Sequence, residues 1–183
     1  AGYKVKIRDI FQNPTISELA SCAKKTERQS EQSTVTGNVQ LTPIQRWYLE
    51  SSLFKDKQYF NQSVMFHSQN PLDEKMIKAM FTKIQEHHDA LRITLKDEKG
   101  EILQTIQGLD CSPRFQVFDL RDNEPADAAK TVEIRANEIE AGIDLQKGPL
   151  MQVGLFHMAD GDDLLIVIHH LVIDTVSWRI LFE

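Results

Sequence analysis

The chain has 183 residues, enough for one to two domains and a sizeable core. Its 41% apolar and 26% charged residues are ordinary for a globular protein, and no apolar run approaches the ~20 residues that a membrane-spanning helix needs. Against 27 Asp and Glu, the 21 Lys and Arg leave a net charge of −6 and no basic face, which argues against nucleic acid as a partner. Cys22 and Cys111 lie far apart and outside any Cys-x-x-Cys pair, so neither a disulfide scaffold nor a zinc ribbon is expected, and a reducing cytoplasm fits. The chain starts at Ala1 with no secretion signal and stops within an amphipathic helical pattern, so more protein is expected to follow.

Thr15 followed by Glu18 is a capping-box pattern, and it predicts a helix from about Ile16 to Lys24. Residues 26–38 are polar, with too little apolar surface to order themselves, and read as a linker. From Val39 onward short strands alternate with helices, the pattern of an α/β or α+β layered domain. Pro43 starts a helix to about Leu53, and Phe60 to Phe66 suits a strand. Between Asp73 and His87, Met76, Ile77, Met80, Phe81 and Ile84 fall on one helical face that should pack on a sheet. Leu91 to Lys96 and Ile102 to Ile106 flank a hairpin turn, and Phe115 to Phe118 is a further strand. A long helix is expected over Pro125 to Ala141, then strands over Leu150 to His157 and Leu164 to His169.

The informative stretch is Leu164 to Trp178. Five aliphatic residues in a row describe a strand buried on both faces, ended abruptly by His169 and His170. Adjacent strand residues point to opposite faces, so only one histidine can face a given cavity. A histidine there is well placed for proton transfer, because its reference pKa of ~6.5 is near neutrality and burial keeps it neutral, ready to act as a base. The spacing alone equally allows two satisfied core histidines. A metal site is not expected: His169, His170 and Asp174 lack a third well-spaced ligand, and His87-His88-Asp89 reads as a helix end near the surface.

His169-His170-Leu171-Val172-Ile173-Asp174 matches the HHxxxD core of the condensation-domain superfamily of nonribosomal peptide synthetases, which resembles chloramphenicol acetyltransferase in fold. Leu41 to Trp47 (LTPIQRW), Phe60 to Val64 (FNQSV), His88 to Arg92 (HDALR) and Val176 to Arg179 agree, and together they look like the epimerization branch rather than a condensation domain. Thr175 stands where glycine is usual in the family. Val5 to Ala23 is similar to the third and fourth helices of a peptidyl carrier protein, without the serine that takes 4'-phosphopantetheine. The resemblance therefore implies the tail of a carrier in residues 1–25, a linker in 26–38, and the first lobe of an epimerization or condensation-type domain in 39–183.

It also implies a role for each marked residue. His170 would be an acid/base group at the α-carbon of an aminoacyl or peptidyl thioester, inverting it from L to D, with His169 beside it in the catalytic pair, to which strand alternation gives a packing or hydrogen-bonding role. The partner glutamate would come from a second lobe outside this sequence, so this segment alone should lack most activity, and neighbouring synthetase modules would be further partners. Asp174 would brace the histidine loop by pairing with Arg92, and Trp178 would support the site just beyond it. Two other functions stay open: a condensation domain that forms a peptide bond with the same histidine, and a noncatalytic docking or scaffold fragment. The amino acid acted on is not legible.

Overall fold

The computed structural model describes residues 3–25 and 33–182 and divides into two compact units, Ala1–Ser33 and Thr34–Glu183. In the first unit a two-residue ladder joins β1 (Tyr3–Lys4) to β2 (Lys24–Lys25), enclosing α1 (Ile7–Gln12) and α2 (Ile16–Cys22). Thr15 caps α2 as its spacing predicts: Thr15 Oγ1 accepts from Glu18 N while the Glu18 carboxylate accepts from Thr15 N. Ile7, Phe11 and Ile16 are largely exposed.

The second unit begins before the expected boundary. β3 (Gly37–Val39) starts inside the expected linker, and residues 26–32 of that linker lie outside the described residues. Backbone pairing, which needs no apolar side chain, orders it: β3 pairs antiparallel with β6 (Glu101–Ile106), and Thr105 Oγ1 donates to Asn38 Oδ1 at 2.9 Å. β5 (Ile93–Glu98) forms the expected hairpin with β6, giving a three-stranded sheet ordered β3-β6-β5.

The larger sheet runs β4-β9-β8-β7, from β4 (Asn61–Ser68), β9 (Gly161–His169), β8 (Met151–Met158) and β7 (Arg114–Asp119). Only the β7–β8 pair is parallel, and α5 (Pro125–Ala141) connects its two strands. β9 is central and buried on both faces, as five consecutive aliphatic residues require. Leu165 and Val167 pack on one side with Ile139 and Ile143, while Leu164, Ile166 and Ile168 pack on the other with Ile77 and Phe81 of α4 (Glu74–His87). Helices thus cover both faces of a mixed sheet, the layered α/β architecture expected from the alternating pattern. α3 (Pro43–Glu50) and α6 (Thr175–Phe182) complete the unit, and among the described residues no helix is long and apolar enough to cross a membrane.

Candidate active site

Strand alternation carries His169 and His170 to opposite faces of the sheet. β9 ends at His169, whose side chain continues the row of Leu165 and Val167 and is fully buried. Its Nε2 is 3.0 Å from the carbonyl oxygen of Lys57, and its Nδ1 accepts from Leu171 N at 3.2 Å. A carbonyl only accepts, so the proton of the neutral ring is on Nε2. Desolvation pushes the pKa down to about 4, against the opposing pull of the Lys57 carbonyl. Tyr48 and Phe60 pack around the ring, and Tyr48 Oη adds a second hydrogen bond to the Lys57 carbonyl. His169 is therefore neutral, paired at both nitrogens and sealed from solvent, with its neighbours ordered around it.

His170 lies one residue past the strand, on the face of Ile168, and is half-buried. Its backbone N–H donates to the Phe60 carbonyl at 2.8 Å, which extends the β4–β9 pairing by one step. The imidazole stacks on the Phe60 ring, with centroids 4.9 Å apart. Nδ1 is 2.7 Å from the carbonyl oxygen of Ile173, so Nδ1 carries the hydrogen and Nε2 keeps its lone pair in the neutral ring. Nε2 faces Gln62 Nε2 at 3.2 Å, and Gln62 Oε1 accepts from Trp178 Nε1 at 2.8 Å. Of the two histidines, only His170 has a nitrogen lone pair on a ring accessible to a second molecule.

The loop between β9 and α6 is held from two sides. Gln45 of α3 closes a capping box with Thr42 through its Oε1, and its Nε2 donates to the Leu171 carbonyl at 3.3 Å. At the other end Asp174 caps α6: its Oδ1 accepts from Ser177 N at 2.8 Å and from Ser177 Oγ at 2.7 Å. These bonds, the hydroxyl first, hold the Asp174 carboxyl below the usual carboxylate range. Thr175 opens α6, and Lys99 is the only non-glycine with positive φ among the described residues, so no glycine is required at position 175.

The expected ion pair between Arg92 and Asp174 is not formed. Arg92 is almost fully buried and donates to the carbonyls of Gln85, Glu86, Gln107 and Val35, with its charge met by Asp89. The reason is local: α4 stops at His87, its last-turn carbonyls lack intrahelical partners, and a tight turn over Asp89–Arg92 swings the guanidinium beneath them. Asp174 is exposed and engaged with its own helix. Arg92 thus clamps the end of α4, and the histidine loop is braced by Gln45, Asp174 and Trp178 instead.

Gln62 has no assigned role in the sequence reading although it lies in the FNQSV segment. The alternation that separates the two histidines also puts Gln62 on the same face of β4 as Phe60, beside whichever histidine that face holds. Among the described residues no group of three metal-ligating side chains comes together.

The condensation domain family profile matches residues 35–183. Over its whole length the chain is 44% identical to tyrocidine synthase 2 of Brevibacillus parabrevis and 41% identical to surfactin synthase subunit 1 of Bacillus subtilis, spanning 5% of each. It is 40% identical to gramicidin S synthase 1 of Brevibacillus brevis, of which it spans 16%. Among solved structures, the epimerization domain from the third module of tyrocidine synthetase B superposes with a TM-score of 0.79 at 45% identity, over 84% of this chain and 35% of that one. The starter condensation domain of rhizomide synthetase shares the fold, with a TM-score of 0.64 at 18% identity, over 82% of this chain and 36% of that one. The chain belongs to the condensation domain family of nonribosomal peptide synthetases.

Proposed function

We propose that the second unit is part of an epimerization domain, which inverts the α-carbon of an aminoacyl or peptidyl thioester carried on a 4'-phosphopantetheine arm. The observation that carries this reading is the state of His170: a half-buried imidazole whose Nδ1–H is committed to the Ile173 carbonyl, leaving the Nε2 lone pair as a base. Likeness to a solved epimerization domain at 45% identity, against 18% for a condensation domain, supports the same branch.

In this reaction Nε2 takes the α-proton: the Cα–H bond breaks, an N–H bond forms, and the electron pair is delocalised onto the thioester carbonyl. The carbonyl oxygen then needs donors placed in advance. Return of a proton to the opposite face requires a second acid/base group, and the glutamate of the second lobe, implied by the family resemblance, would supply it. Each such group typically contributes about 10²- to 10⁴-fold, so loss of either is severe. His169 takes no part in proton transfer here, since its ring is fully buried and no substrate can reach it. Residues 1–25, with their exposed Ile7, Phe11 and Ile16, are read as the end of the carrier that precedes the domain. Carrier-bound substrate, the second lobe and adjoining modules are the partners of this assignment.

The test uses the complete synthetase. Incubated with an L-aminoacyl or peptidyl carrier in D2O, the enzyme should yield D product and exchange the α-proton, and His170→Ala should abolish both. Formation of a new amide bond with no D product would instead assign the domain to condensation.

A further inference from the structure

The hydrogen-bond chain Trp178–Gln62–His170 has its polarity fixed from both ends. Indole Nε1 can only donate, so the atom of Gln62 that faces it is the oxygen, and the amide NH2 therefore faces His170 Nε2. At the far end the Ile173 carbonyl can only accept, so Nδ1 carries the hydrogen. Both constraints specify the same neutral ring, with the lone pair on Nε2.

The imidazolium fits the chain badly. Its Nε2–H would point at an NH2 group, donor against donor, and Gln62 cannot turn its oxygen round without leaving the Trp178 N–H unpaired. That cost rises with burial, and all three side chains are partly buried. Phe60 restrains the ring from its stacked face, so the imidazole has little freedom to rotate away.

We propose that Gln62, held in orientation by Trp178, is a positioning residue for His170: it keeps the ring neutral with Nε2 directed to the α-proton, and is displaced when that proton arrives. The inference rests on the proposed role of His170 as base. Transfer of the α-proton to Nε2 breaks the Gln62 contact, and return of the proton to substrate restores it, so the chain favours the form of the base that begins a turnover. His169 on β9 and Asp174 before α6 interact electrostatically with His170. Phe60 just before β4, Gln62 on β4 and Trp178 on α6 are uncharged.

Two variants of the complete synthetase test this. In Gln62→Glu a carboxylate accepts from both Trp178 Nε1–H and a protonated Nε2–H, which favours the imidazolium. In Trp178→Phe the amide is free to flip and offer its oxygen to Nε2–H. Carbethoxylation of His170 by diethylpyrocarbonate, followed by peptide mass spectrometry across pH, reads the neutral ring without requiring turnover. Its midpoint should move to higher pH in both, by about one unit or more in Gln62→Glu and by less in Trp178→Phe. The acid limb of α-proton exchange should move with it, so that Gln62→Glu loses about tenfold or more near neutrality and recovers as pH rises. Midpoints equal to wild type in both variants would overturn the inference. Should the midpoints move while the wild-type enzyme exchanges no α-proton of a carrier-bound thioester, the positioning stands and the epimerase reading falls. Wild-type epimerization with unmoved midpoints gives the reverse.

Discussion

His169 and Lys57 hold each other in place: the imidazole Nε2 donates to the Lys57 carbonyl, and the Lys57 ammonium donates to the carbonyls of Tyr48, Ser51 and Phe54. The segment between α3 and β4 is thereby wrapped around the end of β9, and the same segment delivers Phe60 to the stacked face of His170. A fully buried histidine thus helps to order the surroundings of the one proposed as the base.

This burial predicts a pH dependence. His169 has a folded pKa of about 4 against an unfolded value of ~6.5, so between these pH values the unfolded chain binds more protons than the folded one. Its contribution is present in full above about pH 6.5 and is lost as pH falls toward 4, up to about 3 kcal/mol. His169→Gln keeps a donor and an acceptor but has no proton to gain. Across pH 4 to 7 its thermal midpoint in the complete enzyme should therefore depend less on pH than that of wild type. Parallel pH profiles for the two proteins would contradict the assignment.

Asp174 is expected to act as a helix cap. Asp174→Ala removes both acceptor contacts to Ser177, so amide exchange should accelerate in the first turn of α6 while the rest of the sheet keeps its protection. Because Trp178 lies in the turn that Asp174 stabilises, α-proton exchange should fall as well. Asp174→Asn retains the capping geometry and should restore both. If Asn were as damaging as Ala, the carboxylate charge rather than the cap would be what matters.

Gly161 lets the start of β9 pass close to the end of β4. With φ at +148°, it would place a Cβ 2.4 Å from the Ser68 carbonyl oxygen and 2.9 Å from the His67 ring. Backbone cannot yield there as a flexible side chain could, so Gly161→Ala should force the end of β4 away from the start of β9 and destabilise by about 1 to 3 kcal/mol. β4 is an edge strand of the sheet and carries Gln62, so the damage should reach the site: hydrogen exchange should rise along Asn61–Ser68 before it rises in β8.

What was legible in the sequence is what depends on local periodicity or capping. The five-aliphatic run gave a doubly buried β9, its period of two separated His169 from His170, and the Thr15/Glu18 pattern marked the start of α2. β3 was not legible, because Gly37 and Asn38 join the sheet through backbone bonds that composition does not record. The partners of Arg92 are hidden for a related reason: orphan carbonyls at the end of α4 compete for the guanidinium and win over the Asp174 carboxylate. The Gln62 chain links residues more than a hundred positions apart, and no spacing rule reaches that far.

Arg92 ties together segments that lie apart in the sequence. Its buried guanidinium satisfies four carbonyls on three segments, and a lysine ammonium, with one nitrogen and no planar fork, cannot reach them together. Arg92→Lys should therefore destabilise nearly as much as Arg92→Met, on the order of 3 kcal/mol, since both leave buried acceptors unpaired. Loss of protection should begin at the C-terminal turn of α4 and in the segments around Val35 and Gln107, which the guanidinium joins, and reach α6 only on global unfolding. Most informative is the cycle with Asp174: the two residues share no bond, so the effects of Arg92→Met and Asp174→Ala on the thermal midpoint should add. A double variant no less stable than Arg92→Met alone would mean that the pair acts as a unit after all, and the brace implied by the family resemblance would be restored.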